Sequence, residues 1–168
     1  MKTVVLGPAP QELQALIERR RSLGLDGHDE VWDGEYHVAP AASSRHGAVQ
    51  AAILALLRDH AADPRLVVGP FNLGSAQNYR VPDGGLLRAG ESGLYVASAA
   101  LVVEVNSPDD ESYAKLDHYA QHRVTELVYI DPEQQEVQLR KLTAGNYRPV
   151  DRLAVVDLTL AQVQTTCL

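Results

Sequence analysis

Cysteine is nearly absent from this 168-residue chain, with Cys167, beside the last residue, as its one representative. No intrachain disulfide and no thiolate metal cage can form, and a reducing cytoplasm is the expected compartment. Long apolar runs are missing too. The opening MKTVVLGPAP is too short for a signal sequence, and no stretch approaches the roughly 18 to 20 apolar residues that span a bilayer. Neither export nor membrane insertion is therefore expected. Positive charge is in deficit, with 15 Lys and Arg against 22 Asp and Glu and a formal net charge of -7. Such a field repels polyphosphate over most of the surface and argues against nonspecific coating of DNA. A local basic groove, or a bound metal supplying its own positive charge, still allows phosphate chemistry in an acidic protein. Aromatic residues are few as well, one Trp, one Phe and seven Tyr, too thin a supply for a sugar-binding platform.

What is present is the balance of a folded globular domain, 45% hydrophobic and 22% charged, in a chain long enough to bury a core without disulfides. One domain over residues 1–168 is expected: a helical extension over 1–28, a core over 29–142, and edge strands and a tail over 143–168. After Pro8 and Pro10, the spacing of Leu13, Leu16 and Ile17 predicts a helix from about 11 to 23. It ends in Arg19, Arg20 and Arg21, which suit a helix C-terminus as a solvated end or, alternatively, a phosphate contact. Residues 30–38 read as a β-hairpin about Asp33-Gly34. From Ser43 or Ser44, the apolar face of Val49, Ile53, Leu54, Leu56 and Leu57 predicts the major core helix, ending near 59–60. Strands are expected at 66–71 and 78–81, with the chain turning at PDGG, and again at 100–105. Ser107-Pro108, with acids at 109–111, starts a helix that runs to about His122. Residues 125–130 and 136–142 form a second hairpin, and NYRPV adds an edge strand. This order predicts an α+β or mixed α/β domain whose simplest packing is one central sheet flanked by helices.

Three residues carry the chemistry. Glu104 interrupts LVV before Val105 in a run that reads as a strand buried on both faces. A carboxylate there must pair with a cation, bind a metal, or reach solvent at the strand end. Asp83 follows a short strand that Pro82 terminates, so an acid is presented at a strand end, although Pro-Asp-Gly is also a common turn. Lys115 falls at the edge of the helical arc of Tyr113, Leu116, Tyr119 and Ala120 and can lean toward the core, while Glu111 four residues earlier offers a surface ion pair instead. Taken together, two acids and a lysine match the needs of metal-dependent phosphodiester hydrolysis. Hard oxygens hold Mg²⁺, which polarises phosphate and acidifies a bound water, and an ammonium orients that water or offsets developing charge. The same two acids as acid and base on a sugar form a remote reading, given the shortage of aromatics. His118 and His122 share a helix face, but the sequence supplies no third ligand near them and they read as surface.

DGEYHVAP followed by His46 at a helix start, then RVPD, LVVEVNSP, KLDHY and TELVYIDP, occur in an order and spacing that resembles the Uma-type restriction endonuclease family of bacteria. These are small members of the PD-(D/E)XK nuclease superfamily, and the resemblance spans roughly Glu30 to Leu142. It implies a restriction-endonuclease-like core with a central mixed β-sheet, hydrolysis of DNA phosphodiester bonds, DNA as partner, and Mg²⁺ or Mn²⁺ as cofactor. It further implies Asp83 and Glu104 as metal-binding acids, the backbone carbonyl of Val105 as a further ligand, and Lys115 as the catalytic lysine, moved onto the helix from the place held by Asn106. His46 and Tyr119 are accessory candidates. The core helix carries no Glu to add to the site, which leaves Glu35 or a water for that role, and Arg80 is a phosphate-contact candidate by position. A homodimer is expected by analogy, since one site cuts one strand. The competing reading is a noncatalytic scaffold that keeps the nuclease fold while Glu104 pairs with Lys115 or an Arg.

Overall fold

The computed structural model describes residues 3–4, 11–39, 41–106 and 112–168. In chain order its elements are β1 (Thr3–Val4), α1 (Gln11–Ser22), β2 (Glu30–Trp32), β3 (Glu35–Val38), α2 (Ser44–His60), β4 (Val67–Val68), β5 (Asn72–Ser75), β6 (Asn78–Arg80), β7 (Gly84–Leu87), β8 (Tyr95–Val96), β9 (Ala99–Val105), α3 (Leu116–Gln121), β10 (Glu126–Asp131), β11 (Glu136–Thr143), β12 (Asn146–Val150), β13 (Arg152–Leu153), β14 (Leu158–Thr159) and α4 (Leu160–Cys167). Short 3-10 turns cover Pro64–Leu66 and Ser112–Lys115. The expected helix start at Ser107-Pro108, with its acids and the Glu111 pairing, lies outside the described residues.

Local chemistry accounts for the elements that frame the site. Asp33 and Gly34 both take positive φ, 51° and 91°, as a two-residue turn matched to strand twist requires, and they close the β2–β3 hairpin. The Ser43 side chain accepts from the His46 backbone N at 3.1 Å and caps α2. Val49, Ile53 and Leu57 then recur every four residues as the buried stripe of that helix. The stripe expected on α1 is not a core stripe: Leu16 is 49% exposed. Arg20 fixes this helix instead, with Nε 2.7 Å and Nη2 2.8 Å from the two carboxylate oxygens of Asp29. Arg20 is thus a structural ion-pair partner and neither a bare solvated end nor a phosphate contact.

The strands form two six-stranded sheets and a two-stranded ribbon, not one sheet. The first sheet has the order β1-β3-β2-β6-β5-β8, the second β12-β11-β10-β9-β7-β4, and β13 pairs β14. The difference arises at PDGG, where the chain bends at Asp83 and passes from β6 of the first sheet into β7 of the second. Gly85 permits this, because a Cβ there would sit 2.2 Å from the carbonyl oxygen of Leu101 on the neighbouring strand. Asn72–Ser75, expected as a connection, is a strand that pairs β6. β9 lies between antiparallel β7 and parallel β10, and the parallel step is made by a crossover that includes α3.

Both faces of β9 are buried. Leu101, Val103 and Val105 join α2 and α4 in one apolar cluster, while Val102 joins Tyr119, Leu127 and Tyr129 in a second cluster on the α3 side. Alternation along the strand places Glu104 on the same side as Val102. The C-terminal segment completes the first cluster through Leu153, Leu158, Val163 and Cys167. Glu126, fully buried, holds that segment in place by accepting from the backbone N of Ala154 at 2.9 Å and of Val155 at 3.1 Å.

Candidate active site

Asp83 stands at the seam of the two sheets, between β6 of the first and β7 of the second. The register Gly84↔Val103 brings it level with Glu104. Its Oδ2 accepts from the Val105 backbone N at 2.7 Å, and its Oδ1 faces His46 Nε2 at 2.8 Å. Gln50, one turn beyond His46 on α2, donates to the Asp83 carbonyl oxygen at 2.6 Å. Helix α2 therefore supplies no acid here; it supplies an imidazole and an amide that fix Asp83.

Glu104 is 3% exposed. Its Oε1 accepts from the Tyr119 hydroxyl and lies 3.2 Å from Lys115 Nζ. Burial pushes its carboxyl up to about 8; Lys115 and the Tyr119 hydrogen bond pull it down, while the charges of Asp83 and Glu30 push it further up. Burial and the charges of Glu104 and Glu30 also hold the Tyr119 hydroxyl well above its ordinary value, so it stays a neutral donor. The last residue of the 3-10 turn, Lys115, is buried at the site. Its Nζ lies 2.9 Å from Glu30 Oε1.

Glu30 is the site residue that the sequence did not single out. Its Oε1 also accepts from the Val81 backbone N at 2.7 Å and its Oε2 from Trp32 Nε1 at 2.5 Å. The available signal was weak: strand alternation puts Glu30 and Trp32 on one side of β2, away from Val31. Glu35 starts β3 opposite Trp32, and among the described residues no hydrogen bond or ion pair ties it to the site.

Arg80 is buried and committed to the scaffold. Its Nη1 donates to Val31 O at 2.9 Å and to Asn78 Oδ1 at 2.8 Å, and the guanidinium lies 4.3 Å from the Trp32 ring centre. Its place in the structure is that of a brace for β2 rather than an open phosphate contact. Asn106, where the ordinary superfamily lysine would stand, donates its backbone N to Ile130 O at 2.7 Å. The surface reading of His118 is also corrected. Its ring is buried, with Nε2 2.9 Å from Leu73 O, while His122 Nδ1 lies 2.9 Å from Ala97 O. Both rings fasten α3 to carbonyls of the first sheet, and burial lowers the His118 value to about 4.

Among the described residues, no group of three or more His, Cys, Asp and Glu side chains is arranged to hold a metal ion. Mg²⁺, however, commonly takes only one or two carboxylates and completes its shell with water and other oxygens. Asp83 and Glu104 are two hard donors on adjoining strands. The charge balance at this point suits a cation: Lys115 lies between the carboxyl groups of Glu30 and Glu104, and the charges of Asp83 and Glu30 both bear on Glu104. The donor set fits a divalent ion held by oxygen.

The fold is a mixed α+β core with flanking helices, its two six-stranded sheets meeting at Asp83. The crystal structure of a protein from Anabaena variabilis, described as a "putative nuclease belonging to DUF820", superposes with a TM-score of 0.68 at 15% identity, covering 83% of this chain and 91% of that one. The chain belongs to the Uma2 family, described as "Putative restriction endonuclease", whose profile matches residues 11–164. Among curated proteins no match is found.

Proposed function

We propose that this protein is a metal-dependent endonuclease that hydrolyses DNA phosphodiester bonds, with Mg²⁺ or Mn²⁺ held by Asp83, Glu104 and the backbone carbonyl of Val105. The observation that carries the reading is convergence: residues from the β6–β7 seam, from β9 and from the turn before α3 meet through contacts of 2.7 Å (Val105 N to Asp83) and 3.2 Å (Lys115 to Glu104). When bound, the ion polarises the scissile phosphate and acidifies the attacking water. His46 and Val105 N hold Asp83 in place, which would present its carboxylate as a ligand. Tyr119 orients Glu104 by donating to Oε1. Lys115 supplies a buried ammonium where the pentavalent phosphate gathers charge, worth far more in a water-poor site than at the surface. A dimer in the cytoplasm would place one such site on each strand of a duplex.

The test is cleavage of a pool of supercoiled, branched and single-stranded DNA in Mn²⁺. Chelation is expected to abolish cleavage, and Lys115→Met to slow it about 10²- to 10⁴-fold. Cleavage unchanged by Asp83→Asn, Glu104→Gln and Lys115→Met would refute the assignment. One observation favours the second reading, a noncatalytic scaffold: Lys115 Nζ already stands 3.2 Å from Glu104, where a retired site would need a cation in the metal's place. On that reading, wild type folds normally, takes up no divalent ion and cleaves nothing.

A further inference from the structure

We infer that Glu30 is a positioning residue that takes over Lys115 from Glu104 when a divalent cation occupies the Asp83–Glu104 site, and so sets the affinity for that cation. The inference rests on the metal-dependent reading above. Glu30 is buried, and its carboxylate is fixed by two donors that belong to neither Lys115 nor Glu104, the Val81 backbone N at 2.7 Å and Trp32 Nε1 at 2.5 Å. It is thus in place whether or not the lysine is on it. Lys115 Nζ bridges the two acids, 2.9 Å from Glu30 and 3.2 Å from Glu104.

A cation on Glu104 competes for the oxygens that now face the ammonium and repels that ammonium. A buried ammonium without a counter-charge is strongly unfavourable, so a site with Glu104 alone would have to choose between lysine and metal. Glu30 removes the choice: the ammonium keeps a carboxylate while Glu104 is released. The same carboxylate reaches Val81, two residues before Asp83, and so ties the lysine to the strand end that presents the other metal-binding acid.

A double-mutant cycle read by Mn²⁺ calorimetry tests this on the full chain, using wild type, Glu30→Gln, Lys115→Met and the double variant, each checked for cooperative thermal unfolding. Long-range attraction between Glu30 and the cation is lost on Glu30→Gln in either background. The handover of the lysine is lost only where the lysine exists. Glu30→Gln is therefore expected to weaken Mn²⁺ binding about tenfold more with Lys115 present than with Met at that position. Equal weakening in both backgrounds, or none, overturns the role of Glu30 and leaves the metal site standing. No Mn²⁺ binding by folded wild type overturns the metal site and the handover with it. A cation-loaded crystal structure of wild type decides without variants. Lys115 Nζ retained by Glu30 and withdrawn from Glu104 is expected; an ammonium still on Glu104, or turned to solvent, refutes the handover.

Discussion

Glu104 is a carboxyl whose ionisation the fold resists. Burial, with Asp83 and Glu30 adding to it, keeps its proton on up to about pH 8, whereas an unperturbed glutamate loses it near 4.5. Between those values the metal-free native state holds a proton that the unfolded chain has released, so stability falls as pH rises through that window. Glu104→Gln has no proton to lose. In metal-free buffer its melting temperature should gain on wild type as pH rises from about 4.5 to about 8, and a difference that stays flat across this range would contradict the account. The groups common to both proteins, the low-lying His118 among them, cancel in the comparison. At this scale much of the site was legible. The structure puts Asp83 beside His46, and Glu104 beside Lys115 and Tyr119; Glu104 stood out in the sequence as an acid in an apolar strand, the others only through the combined motifs. Glu30 was not legible: an acid at the start of a three-residue strand looks like any exposed hairpin charge until Val81, Trp32 and Lys115 are seen around it. Arg80 misled for the opposite reason, since position near the site says nothing about whether its guanidinium is already committed to Val31 and Asn78.

Elements with strong local signals matched their expected places: the Asp-Gly hairpin, the Ser-capped α2, and the apolar runs that became β9, β10 and β11. Elsewhere the match was partial: the strand expected at 66–71 is reduced to β4, and β5, β7 and β8 were not expected. β4 and β8 have two residues each, and β5 and β7 contain glycine; their strand character comes from pairing partners far along the chain, which no local pattern encodes. α4 carried a readable mark, the Thr159 and Gln162 capping box, and its Val163 reaches the core. β7 is the element that delivers Asp83 to Glu104, and its close approach to β9 depends on Gly85. Gly85→Ala should cost about 1–3 kcal/mol in denaturant unfolding, because the new methyl meets the backbone of Leu101. Gly69→Ala, where a Cβ meets nothing within 4 Å, should stay within about 0.5 kcal/mol. Equal costs at the two positions would show that close strand approach does not govern the placement of β7.

At the scale of the whole molecule, two sheets meet at the candidate site. The first sheet contributes Glu30 and the end of β6, the second contributes Glu104, and the crossover contributes Lys115 and Tyr119, so the constellation exists only when both sheets are assembled. On the proposed function, that arrangement would also reconcile an overall charge of -7 with phosphate chemistry. Neighbouring carboxyl groups repel a bare phosphate but attract a divalent ion, which would in turn accept the phosphate. The central claim is therefore that Asp83 and Glu104 form one cation site. It is tested most directly by titrating Mn²⁺ into wild type, Asp83→Asn and Glu104→Gln by calorimetry, which requires no knowledge of the DNA recognised. Binding by wild type that either substitution abolishes is the predicted result; folded wild type that takes up no Mn²⁺, or binding that survives both substitutions, would contradict it.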